Sequence, residues 1–307
     1  MSAPKAICRG SVLIILAHAL VVGPANAQDQ LSTERIFLSI NSAFEQDARV
    51  IGELRLPNSN PEQLPTVVIV NSAPGFDGRG AFYADALNRA GIATLEIDMF
   101  QGKGLPASLR RNLPHVYQTL DYLSRHPRID ANRIGIMGFS WGGNVSVLAS
   151  SDELARQYSR GELRFAAHLG LYPACSKHYA LVADKPGKWK ELKPTVYQRI
   201  TGSPVRILAA GKNDYDNRDR EVCAKFIAAL PVEVQGHFSL TVYPEATFGW
   251  DSRFSSATYD ASANEGKGGI VDVIADADMA TESRQSAVAY FSRYLKLDRT
   301  IDEPRGK

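Results

Sequence analysis

From Arg35 onward, short apolar runs alternate with longer segments whose apolar residues recur at helical spacing. Arg35–Ile40 and Val50–Leu56 read as two antiparallel strands separated by the polar stretch Asn41–Ala48. Thr66-Val67-Val68-Ile69-Val70-Asn71 is β-branched and apolar almost throughout, the mark of a strand covered on both faces. A helix is predicted from about Gly80 to Ala90, ended by Gly91, and Ile92–Asp98 is the next strand. The alternation continues with a helix over Leu109–Arg125, a strand over Arg133–Gly138, and strands over Phe165–Tyr172 and Val205–Ala210. A helix over Arg218–Leu230, a strand over Phe238–Tyr243 and an amphipathic helix over Thr281–Leu297 close the series.

Strand–helix alternation of this kind predicts an α/β fold, a mainly parallel eight-stranded sheet with helices on both faces. In such a sheet, ligand chemistry sits beyond the carboxyl ends of the strands. The loops after Asn71, Asp98, Gly138, Tyr172 and Ala210, and whatever follows Tyr243, are therefore the functional ones. Residues 251–277 are rich in Ser, Gly, Ala and Asp and show no clear element; a loop that long is a lid or a surface excursion. There is no repeat or interdomain linker, so residues 28–307 are expected to form one domain.

The first 27 residues are different. Lys5 and Arg9 precede the apolar run Ser11–Val22, Gly23-Pro24 breaks it, and Ala25-Asn26-Ala27 offers a small-x-small cleavage site. This pattern predicts a secretory signal peptide over residues 1–27 and a periplasmic or secreted mature protein, with no membrane attachment after cleavage. The formal charge of +2 comes from Lys5 and Arg9, because residues 1–27 hold no Asp or Glu. A formally neutral mature chain gives no reason to expect a nucleic-acid partner. Cys175 and Cys223 then remain, and in an exported protein an even pair suggests a disulfide. Two separate thiols, or a metal held by Cys175-x-x-His178, are the competing readings.

The chemistry centres on Gly138-Phe139-Ser140-Trp141-Gly142-Gly143. Gly-x-Ser-x-Gly between a strand and a helix is the nucleophile elbow, a turn too sharp for side chains beside the serine. The helix N-terminus behind Ser140 favours developing negative charge. Neither a dinucleotide fingerprint, a phosphate loop nor a metal cluster is present in the sequence, and no cofactor is expected.

That elbow, with Gly211-Lys212-Asn213-Asp214 and Tyr243-Pro244-Glu245-Ala246-Thr247 after later strands, resembles the dienelactone hydrolase family of α/β-hydrolases, over about Arg35 to Leu297. The resemblance implies a small-molecule ester or lactone substrate and a serine, histidine and aspartate acting in sequence. Ser140 falls on the nucleophile position and Asp214 on that of the acid, with Asp216 and Asp219 as nearby competitors. The backbone N–H groups of Trp141 and Ala73 fall on the oxyanion hole.

Where relatives carry Tyr-Pro-x-Ala-x-His, this chain reads Phe248, and phenylalanine can neither accept nor donate a proton. His178, after the strand ending at Tyr172, is the candidate substitute base, with Glu245 and Asp251 as weaker ones. His168, mid-strand, reads as a core residue. Phe76, Phe100, Trp141, Phe248 and Trp250 are expected to line an apolar pocket. Two functions follow: an exported serine hydrolase cleaving a carboxylic ester or lactone through an acyl-enzyme on Ser140, or a degenerate, noncatalytic hydrolase fold that binds a small ligand.

Overall fold

The computed structural model describes residues 33–41, 49–58, 63–73, 75–100, 107–159, 161–187 and 189–296. Residues 1–27, where a signal peptide is expected, lie outside these residues. No helix among those described is long and apolar enough to cross a membrane.

An antiparallel pair begins the sheet, β1 (Thr33–Asn41) against β2 (Arg49–Pro57). Then β3 (Leu64–Val70), α1 (Arg79–Arg89), β4 (Ala93–Asp98), α2 (Leu109–Ser124), β5 (Ile129–Phe139) and α3 (Trp141–Leu148) follow as strand–helix units. After α4 (Asp152–Tyr158) come β6 (His168–Leu171), α5 (Cys175–Val182), β7 (Val205–Lys212), α6 (Val222–Ala228), α7 (Val232–Gln235) and β8 (Phe238–Thr247). Among the described residues the main sheet has the order β1-β2-β4-β3-β5-β6-β7-β8. It is antiparallel from β1 to β4 and parallel from β4 to β8.

The β-branched run of β3 explains its central place. Val68 and Val70 face one core with α2 and α3, while Val67 and Ile69 face the other with α1 and the last helix, α9 (Ala277–Lys296). Helical spacing puts Ala280, Ser283, Ala287, Tyr290, Phe291 and Leu295 on the buried side of α9. A Cβ on Gly135 would press into the Phe291 ring at 2.7 Å, so glycine there lets α9 lie close against β5.

Several boundaries differ from the sequence reading. The strand expected from Phe165 starts at His168, and β8 continues through Tyr243-Pro244-Glu245-Ala246 to Thr247. The helix expected over Arg218–Leu230 shortens to α6, Val222–Ala228, and a separate 3-10 turn at Asp214–Asp216 precedes it. Residues 251–277 contain a hairpin of β9 (Ser256–Asp260) and β10 (Gly269–Val273), joined through α8 (Ala263–Gly266). Tyr259 and Ile270, opposed across that hairpin, are both exposed, while Val271 on the other side is buried.

Cys175, opening α5, is joined to Cys223 in α6. A bridge spanning 48 residues restricts the unfolded chain by about 4 kcal/mol in the chain-entropy model. With both sulfurs bonded to each other, the free-thiol and metal readings are set aside. Asp216 caps the same helix end, accepting from the N–H groups of Cys175 (3.1 Å) and Ser176 (2.9 Å) and from the Ser176 hydroxyl (2.6 Å).

His168 and His178 are sealed in the interior, as is His115 on α2. Nδ1 of His168 meets the Ser146 carbonyl at 3.0 Å; His178 lies on α5 among Trp189, Tyr197 and Phe226. Burial pulls His168 down to about 4 and His178 to about 3. Both are therefore neutral in the fold and free to charge in the unfolded chain. The stability this confers is complete above the unfolded value near 6.5 and is lost as pH falls towards each folded value. Urea unfolding of His168→Gln and His178→Gln, each compared with wild type, should show a decline shallower by about 1.4 kcal/mol per pH unit below pH 6.5. Parallel pH profiles for wild type and variants would refute this.

Candidate functional site

β5 delivers Ser140 to the carboxyl edge of the sheet at φ 53, ψ −112, a conformation rarely tolerated by a side-chain-bearing residue. The turn closes because its neighbours are glycine. A Cβ on Gly138 would collide with the Gly142 backbone, and one on Gly142 with the Val70 carbonyl. The Ser140 N–H donates to the Leu171 carbonyl at 3.0 Å, and the Ser140 carbonyl accepts from the Asn144 N–H at 2.9 Å. Among the described residues no hydrogen bond engages the Ser140 hydroxyl.

Trp141 is the first residue of α3, where N–H groups have no partner within the helix. Its indole is fixed by donating to Asn112 Oδ1 at 2.8 Å and meets Trp189 edge-on. Ala73 is exposed in the turn that Gly75 closes by donating to the Ser72 carbonyl at 2.9 Å. Ser72 is itself pinned: Arg79 Nη2 donates to its hydroxyl at 2.5 Å.

Arg79 belongs to a buried network that sequence reasoning missed. Its guanidinium pairs with Asp77 and donates to the Tyr172 hydroxyl at 2.8 Å. The Tyr172 hydroxyl donates to Asp251 at 2.6 Å, and Tyr83 donates to the same carboxylate at 2.9 Å. Burial raises Asp251 above the usual carboxylate range, opposed by Arg79 and the two phenols. Tyr172 carries a positive φ of 38 and follows Leu171, whose carbonyl takes the Ser140 N–H. The chain segment Asp77-Gly78-Arg79 was the available signal, a charge pair at the start of a helix beside the elbow.

Asp214 lies beyond the end of β7 and is 4% exposed. Arg218 Nε donates to Oδ1 at 2.6 Å and the Asp272 N–H to Oδ2 at 2.9 Å. Arg218 also donates to the Asp272 carboxylate at 2.7 Å. The carboxylate thus binds the β9–β10 hairpin to the loop after β7. Of the competing acids, Asp216 caps α5, where burial pushes it up to about 6, and Asp219 pairs with Lys225 at 2.8 Å.

Phe248 stands between the rings of Tyr172 (5.1 Å) and Tyr215 (4.8 Å), both edge-on. No candidate base is brought to Ser140 in its stead. His178 is spent on both sides, Nδ1 at 2.7 Å from the Tyr197 hydroxyl and Nε2 at 3.1 Å from Asn144 Oδ1. With each nitrogen engaged and the ring fully buried, it cannot take a proton from the serine. Glu245 is exposed and paired with Lys212 and Arg220, and Asp251 is held by its two tyrosines. The expected aromatic lining also needs correction. Phe100 and Trp250 are core residues, Trp250 donating to Ser283, whereas Phe76 is 47% exposed.

The sequence pattern of a family described as FrsA-like (Esterase FrsA-like) matches residues 25–159, which include Ser140 but stop short of Asp214 and Phe248. Among curated proteins none matches the sequence. Solved structures are similar over most of their length. Est1E from Butyrivibrio proteoclasticus is 16% identical with a TM-score of 0.56, covering 84% of this chain and 99% of its own. The dienelactone hydrolase-like promiscuous phosphotriesterase P91 from metagenomic libraries is 19% identical with a TM-score of 0.58, covering 85% and 98%. The dienelactone hydrolase from Anabaena variabilis is 17% identical with a TM-score of 0.54, covering 86% and 99%. At such identities the likeness is one of fold: this chain has the α/β-hydrolase fold and is similar to the dienelactone hydrolase-like members of that group.

Proposed function

We propose that this protein is an exported serine hydrolase that cleaves a carboxylic ester or lactone through an acyl-enzyme on Ser140. The observation that supports this most is the elbow itself. Holding a non-glycine residue at that φ and ψ costs on the order of 1–3 kcal/mol, and three glycines are arranged around it so that it can persist. In this reading the Ser140 hydroxyl attacks the substrate carbonyl, and the N–H groups of Trp141 and Ala73 receive the oxyanion. The serine proton passes to water, because no side-chain base reaches it among the described residues. Losing the histidine of a triad costs on the order of 10⁶ in turnover, leaving roughly 10³ to 10⁴ over water from oxyanion hole and binding. Substrates are therefore those with good leaving groups, and hydrolysis of the acyl-enzyme, equally deprived of a base, is slow.

A second reading, a ligand-binding fold without turnover, is favoured by one specific observation. Phe248 is packed between two tyrosines, and both oxygens of Asp214 are engaged elsewhere. Export is part of the proposal on two grounds, the pattern of residues 1–27 and the Cys175–Cys223 bridge, a form suited to an oxidising compartment. Amino-terminal sequencing of the protein recovered from its host should begin at Gln28.

With a short-chain activated aryl ester, wild type should release about one leaving group per chain in a burst, then turn over slowly. The acyl group should be found on the Ser140 peptide by mass spectrometry, and Ser140→Ala should show neither burst nor adduct. A wild type indistinguishable from Ser140→Ala would leave the ligand-binding reading in its place. Phe248→His should raise the steady rate on the order of 10²-fold, the low end of what a placed acid–base contributes. Adding Arg218→Gln should raise it further by freeing Asp214 Oδ1 to orient the new imidazole; an unchanged rate in both variants would show that position 248 does not face the serine.

A further inference from the structure

A cleft of about 340 Å³ opens near the starts of β7 and β8, at the other end of these strands from the elbow. Arg206 of β7 and Ser239 and Thr241 of β8 form its floor, and Tyr290, Arg293 and Tyr294 of α9 form its wall. The register of the parallel pair sets Arg206 beside Ser239 and brings Thr241 one step further along the same strand face. Arg206 Nη2 donates to the Thr241 hydroxyl at 3.2 Å, which fixes the guanidinium on the sheet. The Arg293 guanidinium lies over the Tyr294 ring, 5.3 Å from its centre. The Tyr290 hydroxyl is already committed to the carbonyls of His168 and Pro204.

Charge distinguishes this cleft. No carboxylate lines it, and among the described residues neither Arg206 nor Arg293 has an acidic partner within 4.0 Å. A cleft of similar size, about 370 Å³, lies between α4 and the turn at Pro194–Tyr197, and two arginines line it too. There Arg156 and Arg199 both meet Asp152, and the charge is answered within the protein. Around Arg206 the nearest charge of opposite sign is Glu282, beside Tyr243, and it makes no ion-pair contact. A half-buried guanidinium without a counter-charge in contact loses hydration and gains no ion pair, and a second arginine on the same cleft adds repulsion. An oxyanion seated between them removes both penalties and accepts from guanidinium forks and hydroxyls alike. The volume is at the lower end of small-molecule sites, roughly 300–1,000 Å³.

We propose that this cleft binds the oxyanion group of a small molecule, a phosphate monoester or a carboxylate. Arg206 and Arg293 are the charged donors, and Ser239 and Thr241 contribute hydroxyls. Nothing in this site depends on Ser140 or on the hydrolase reading. Titration calorimetry of the full chain at low ionic strength, with phenyl phosphate in one arm and benzoate in the other, tests it. Saturable binding is expected in at least one arm, and the tighter arm identifies the source of the oxyanion. Arg206→Gln and Arg293→Gln should each weaken that binding about tenfold or more, while Arg156→Gln, in the balanced cleft, should leave it unchanged. Circular dichroism should show all three variants folded. The proposal falls if neither ligand binds at millimolar concentration, or if binding survives both substitutions undiminished.

Discussion

The close crossing of α3 over the carbonyl ends of β3 and β6 is the constraint on which the rest of the site depends. Gly142 lies against the Val70 carbonyl and Gly143 against that of Leu171, so the helix can begin one residue after the strand ends. Ser140 is forced into its unusual backbone conformation by that geometry and is kept there by the hydrogen bond from its N–H to Leu171. The same crossing aims the unpaired N–H groups of the first helical turn at the sheet edge. Tyr172 is drawn in as well, since it directly follows the carbonyl that holds the serine. Through its hydroxyl it ties Arg79, Asp251 and the end of β8 to the elbow.

Around this frame the positions that the sequence suggested for acid and base are held by other contacts. Asp214, the acid suggested by the sequence, lies beyond β7, and its oxygens serve Arg218 and the β9–β10 hairpin. The position after Thr247 holds a ring that packs between tyrosines. The two features are physically linked. A buried carboxylate that lacked an imidazole partner would be left partly unsatisfied, at a cost of roughly 1–3 kcal/mol, and Arg218 with the Asp272 N–H supply what is missing.

Much of this was legible in the residues. The β-branched run at Thr66–Val70, the glycines flanking Ser140 and the spacing of the C-terminal helix each carry a local physical requirement that only one structure satisfies. The acid loop could be placed because it follows a recognisable strand. What could not be read were contacts made across long sequence separations. Asp272 and Asp214, or Tyr83 and Asp251, meet only once the sheet has assembled. The hairpin in residues 251–277 was hidden because Tyr259 and Ile270 stand on its exposed face while Val271 is buried on the other, so apolar and polar residues do not alternate with period 2. His178 illustrates the opposite error: its place on the correct edge of the sheet suggested chemistry, whereas the neighbouring Tyr197, Trp189 and Phe226 make it a core residue.

The setting of the Cys175–Cys223 bridge also governs how it answers reductants. A carboxylate oxygen of Asp216 lies within 4.8 Å of both sulfurs, and all three residues are buried. Thiol–disulfide exchange proceeds by attack of an anionic thiolate on sulfur and releases another thiolate. An incoming thiolate has to enter a buried site beside a group of its own sign, and the departing one has to form there. Both steps are disfavoured, so exchange at the bridge is slowed for as long as the loop carrying Asp216 stays folded. In this protein the lifetime of a covalent bond is set by a loop conformation.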